Sequence, residues 1–223
     1  MMKSAKHVMS SAISAVALAS LFVGGSAGVA HADGEPESVE QLERQFEKAQ
    51  AAGDSTAEDN LEKLHKLTDA EKIELDELMG GQREESPRLS WDEAQQTRQV
   101  SEPQSKSSTQ ASKKHNIWGT QAMTFAGIKL TETKVSATIT TNGTKVTKVN
   151  SSSSKLVKNY QPLTNVTVAD PSSKISGGKA TVKAKVRVER GPAPGLGGNW
   201  STKESYHTIV GSGKGKVVSN TWT

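Results

Sequence analysis

"KATVKAKVRVER", Lys179 to Arg190, carries the plainest structural pattern in the chain. Ala180, Val182, Ala184, Val186 and Val188 alternate with Thr181, Lys183, Lys185, Arg187 and Glu189. Successive side chains of an extended chain point to opposite faces, so this spacing gives a strand with one apolar and one charged face. A helix would scatter the five apolar residues around its circumference. The flanking sequence repeats the pattern. "TKVSATITTNGTKVTKV" (133–149) sets Val135, Ala137 and Ile139 on one face, followed by Asn142-Gly143 and a second alternating arm. Asn-Gly between such arms predicts a hairpin, because both residues tolerate positive φ. "LTNVTVADPSSKISGG" (163–178) reads as a strand, an Asp-Pro turn and a further turn at Gly177-Gly178. "NWSTKESYHTIV" (199–210) and "KVVSNTWT" (216–223) add two more strands.

Roughly seven or eight short strands without a convincing helix predict an all-β domain over residues 115–223, an antiparallel sandwich or a small barrel. It opens at "NIWGTQAMTFAGIKL" and closes at "TWT", and these two ends are expected as neighbouring strands. A regular strand at 200–210 would put Trp200, Glu204, Tyr206, Thr208 and Val210 on one face. Core packing is the expected role of Trp200, Tyr206 and Trp222, since the domain has few other large side chains; a stacking platform for a sugar or base is the alternative.

The preceding sequence falls into three parts. Residues 1–32 combine Lys3 and Lys6, the apolar run "AISAVALASLFVGG" and Ala30-x-Ala32. That is the layout of a secretory signal peptide, with cleavage expected after Ala32. The run is short for a spanning helix, and no apolar tail closes the sequence, so a secreted or non-covalently surface-associated protein of bacterial type is expected. Residues 33–81 are helical by pattern, with capping boxes at Ser38/Gln41, Ser55/Glu58 and Thr68/Glu71. Their apolar stripes are thin, which predicts a loose acidic unit, marginal by itself. Residues 82–114 are rich in Ser, Gln and Lys and read as a mobile linker, open to cleavage near Lys113-Lys114.

Charge divides the molecule. The formal net charge is +4, yet residues 33–80 hold 15 acidic and 5 basic side chains, whereas 113–223 hold 4 acidic and 17 basic ones. The absence of cysteine excludes disulfides, thiolate metal sites and a thiol nucleophile. Beyond the signal peptide, histidine occurs only as His65, His115 and His207, with no metal-ligand spacing, so neither metal nor cofactor is expected. A serine triad would need His207 and Asp170, but no G-x-S-x-G elbow is present. Glu189 and Glu204 flank "RGPAPGLGGNW" and are the pair best placed for glycoside hydrolysis, but each is expected to partner a nearby Lys or Arg. The Gly/Pro loop has neither the spacing nor the following helix of a phosphate cradle. No enzymatic activity is expected.

The basic excess is the strongest signal. Lys183, Lys185 and Arg187 project from one strand face about 7 Å apart. With Lys203, Lys214 and Lys216 they form the expected polyanion-binding set, and Trp200, Tyr206 and Gly195 the expected stacking or loop contacts. Suitable partners outside a cell are anionic wall polymers, acidic polysaccharides and anionic lipid surfaces, held by multivalent, salt-sensitive attraction. No specific nucleic-acid partner is expected. The acidic helices are expected to contact the basic domain and mask it. Two other readings stay open: an antimicrobial or pore-forming toxin with an acidic inhibitory pro-segment, and an extracellular protease inhibitor using the loop at 191–198.

Overall fold

A computed structural model describes residues 36–80, 82–83, 85–100, 112–191 and 201–223, with backbone alone at 91 and 93–100. The expected signal peptide, residues 1–32, and residues 192–200, with Gly195 and Trp200, lie outside the described residues. Among the described residues three helices come first: α1 (Glu37–Ala51), α2 (Ser55–His65) and α3 (Asp69–Met79). Nine strands follow: β1 (Leu89–Val100), β2 (Lys113–Phe125), β3 (Ile128–Thr141), β4 (Val146–Asn159), β5 (Thr164–Val168), β6 (Ser172–Ser176), β7 (Lys179–Arg190), β8 (Ser201–Gly211) and β9 (Val217–Trp222).

The strands form two antiparallel sheets, one ordered β1-β2-β3-β4 and the other β5-β7-β8-β9. β6 also pairs with β7, alongside residues 179–183, while β5 pairs with residues 186–190. The expected sandwich is therefore present, with the alternation of β7 as read: Ala180, Val182, Ala184 and Val186 are fully buried and Lys183, Lys185 and Arg187 exposed. Ile117, Val135, Ala137 and Ile139 of the first sheet close on Ala180, Val182, Ala184 and Ile209 of the second. The two ends of the domain do not pair. β2 and β9 lie in opposite sheets and meet across the interior, where Gln121 Nε2 donates to the Asn220 carbonyl at 3.1 Å and Asn220 Nδ2 to the Thr120 carbonyl at 2.9 Å.

The interval 82–114 is not linker throughout. Leu89–Val100 pairs with β2 along its whole length, from Leu89 opposite Phe125 to Val100 opposite Lys114. An edge strand is recruited by backbone hydrogen bonds, which need no apolar alternation, so side-chain pattern held no sign of it. Nor are the helices an independent appendage. Val39, Leu42, Phe46, Leu64, Leu75 and Leu78 share a core with Phe125, Ile128, Leu130 and Tyr160. The thin stripes are sufficient because the β2–β3 hairpin end supplies the missing apolar surface.

Of the three capping boxes, only Thr68/Glu71 forms. α1 starts after Pro36 without a side-chain cap, and Asp54 rather than Ser55 caps α2. At the Asn142-Gly143 hairpin, Gly143 alone has positive φ, at 89°. Asn142 instead turns its Oδ1 toward the backbone N–H groups of Thr144 and Lys145, at 3.2 and 2.8 Å, an Asx-type closure of a longer loop.

Candidate functional site

The six basic residues singled out in the sequence occupy three places. Lys183, Lys185 and Arg187 stand on the outer face of the second sheet, but two carboxylates share that face. Lys185 Nζ lies 3.0 Å from Glu204, and Arg187 bonds Glu189 at 2.8 Å. The hydrogen bond to Glu204 raises the Lys185 pKa. Lys183 Nζ sits 3.7 Å over the ring of Tyr206, a cation–π contact. Tyr206 is thus half-buried on the outer face rather than in the core. The inward positions of β8 are Ser205, His207 and Ile209, the opposite parity from Tyr206. Glu189 and Glu204, the carboxylates weighed for hydrolysis, are both engaged in these ion pairs.

Lys203 shares the inward parity of Ser205 and lies at the opposite end of the sandwich from Lys214 and Lys216. Lys214 and Lys216 belong to the β8–β9 turn. There the fold brings them together with four lysines outside the expected binding set: Lys113 and Lys114 at the start of β2, Lys145 in the β3–β4 turn and Lys179 at the start of β7. The β3–β4, β6–β7 and β8–β9 turns interlock at this end. Val146 N–H donates to the Gly178 carbonyl at 2.8 Å, joining the two sheets. A Cβ on Gly213 would fall 2.0 Å from the Thr144 carbonyl oxygen, and one on Gly215 would fall 2.2 Å from His115 Nδ1. Only glycine permits these approaches. His115 is the buried centre of this end; burial and the adjacent Lys113 push its pKa down, so the ring packs as a neutral group.

Among the described residues, no Asp or Glu occurs in the segments that build this end, 96–100, 112–118, 139–148, 172–184 and 208–219. The acidic helices pack at the far end of the first sheet, around the β2–β3 turn, where Asp54 pairs with Lys158 and Asn60 bonds the Lys129 backbone. Residues 36–80 hold 13 acidic and 5 basic side chains, so acidic and basic groups sit at opposite ends of the described residues. Lys145 follows the Asn142-Gly143 turn and Lys179 the Gly177-Gly178 turn, and both turns are visible in the sequence. Which turns meet is not.

Six lysine side chains gathered at one end can pair with repeated phosphate, sulfate or carboxylate groups. His65 bonds Glu43 at 2.6 Å on the helices, His115 is packed beneath the turns and His207 is sealed between the sheets, so no two of the described histidines meet. Among the described residues no group of three His, Cys, Asp or Glu side chains is placed to hold a metal. Among them, too, no helix is long and apolar enough to cross a membrane. The chain matches no family model, no curated protein and no solved structure.

Proposed function

We propose that this chain is an exported, non-enzymatic binding protein that attaches to anionic surface or extracellular polymers through the lysine end of its sandwich. The observation that carries this reading is the clustering of Lys113, Lys114, Lys145, Lys179, Lys214 and Lys216 at one end of the sandwich, where the described segments contain no carboxylate. Fixed like charges at one end hold a multivalent anion without the entropy cost of gathering flexible side chains from separate loops. The acidic helices at the other end repel the same polymer, which favours end-on attachment. The row on β7 contributes less, because Glu204 and Glu189 already offset it. The signal-like leader supplies the route out of the cell on this reading.

The test is retention of the chain beginning at Asp33 on immobilised heparin and on a polyglycerol-phosphate polymer, eluted with a salt gradient. Replacing Lys145, Lys179, Lys214 and Lys216 together by Gln is expected to weaken binding at least about tenfold and to flatten its salt dependence. Replacing Lys183, Lys185 and Arg187 is expected to have a smaller effect. Failure of the unaltered protein to bind either polymer at low salt defeats the proposal.

A further inference from the structure

At the end of the sandwich opposite the lysines, the two sheets part to leave a cleft of about 310 Å³. Its apolar walls are Leu89 and Met123 from the first sheet and Val188 and Trp222 from the second. Arg190 and Lys203 also line it, and their placement is unusual. They occupy the inward parity of β7 and β8, in line with Val186 and Val188 and with Ser205 and His207, where the alternation elsewhere delivers core residues. Two cations thus stand beside a partly apolar space between the sheets. An apolar pocket with a few convergent polar groups fixes a ligand by its body and orients it by its polar end. Here the polar end that two cations would orient is an acid group. Ser86 and Ser205 add hydroxyls, and Glu85 stands at the same cleft with a single opposing charge.

We infer that this cleft is a binding site for a small organic monoanion, a carboxylate or sulfonate on an apolar body. The acid group lies toward Arg190 and Lys203, and the hydrocarbon or ring lies between Met123, Val188 and Trp222. The volume fits a medium-chain or aromatic acid, and Glu85 disfavours a second negative charge. This site is separate from the lysine end in position and in chemistry: one is shaped and partly apolar, the other open and polar.

The probes are 8-anilinonaphthalene-1-sulfonate, followed by its fluorescence, and decanoate as its competitor, on the chain beginning at Asp33. The expected result is saturable binding of one dye per chain, displaced by decanoate, with the neutral dye N-phenyl-1-naphthylamine binding at least about tenfold more weakly. Lys203→Gln, an exposed position, should weaken the sulfonate dye several-fold while leaving the melting temperature unchanged. Arg190→Gln should do so more strongly, and Lys214→Gln with Lys216→Gln should have no effect. No saturable binding overturns the inference. So does equal binding of the neutral dye, or binding that Lys203→Gln leaves intact. Loss through Lys214→Gln and Lys216→Gln would place the dye on the lysine end instead and overturn it equally, whatever the outcome on heparin.

Discussion

Asp54 shows how one side chain joins the acidic and basic parts of the molecule. Its carboxylate caps α2 through the Thr56 N–H at 3.0 Å and accepts from Tyr160 Oη at 2.6 Å and Lys158 Nζ at 2.5 Å. Burial pushes its pKa up, but the bonds from Lys158, Tyr160 and Thr56 outweigh burial and hold it at about 2, against 3.8 unperturbed. The unfolded chain therefore takes up the proton first on acidification. The stabilisation is complete above the unfolded value and is lost as pH falls from about 4 through about 2. Asp54→Asn keeps a competent cap. It should cost up to about 2 kcal/mol at neutral pH and flatten the acid limb of stability against pH, as measured by urea unfolding. His207 is a second such tie. Its Nδ1 lies 3.0 Å from Thr133 Oγ1 and its Nε2 2.9 Å from Asn220 Oδ1, while Asn220 Nδ2 reaches the Thr120 carbonyl across the interior. Gly119 lies opposite because a Cβ there would fall 2.6 Å from Asn220 Oδ1. The residue weighed as a triad base is thus a fully buried link between sheets, and Asp170 is exposed far along the chain in the β5–β6 turn.

Among the elements, the strands were the most legible. β3, β7 and β8 bury every second residue over most of their length, and alternation reports that directly. β1 was not legible, because an edge strand is defined by its neighbour's free backbone. Helix placement was also hidden. Periodicity showed that α1 and α2 had apolar stripes but not that Phe125, Ile128 and Leu130 at a hairpin tip would cover them. A ring contact between Phe46 and Tyr160, with centroids 5.0 Å apart, closes this core. Each of these side chains contributes about 1.5–3 kcal/mol on burial. A total stability of roughly 5–15 kcal/mol cannot absorb the loss of several together. A chain beginning at residue 82 should accordingly fail to give a cooperatively melting monomer in calorimetry and gel filtration. A melting temperature within a few degrees of the intact protein would show the helices to be dispensable.

At the scale of the whole molecule, an acidic helical cap and a lysine end lie at opposite poles of one sandwich. The antiparallel pairing of β1 with β2 also constrains any reading in which the acidic lead is released by cleavage. Cutting at Lys106, between these two strands, would leave 12 paired positions of β1 on β2 and would not touch the core that the helices share with Phe125, Ile128 and Leu130. The two pieces should co-elute in native gel filtration and part only in denaturant; spontaneous release of the lead would favour the pro-segment reading. The amino-acid order alone determined the strand character, the cysteine-free core and the division of charge, because each is a local or summed property of residues. The tertiary structure decided which lysines stand together, which carboxylates neutralise the β7 row and where two cations face a partly apolar cleft. Those depend on which turns and sheet faces meet, and contacts between residues distant in sequence leave no local pattern from which to read them.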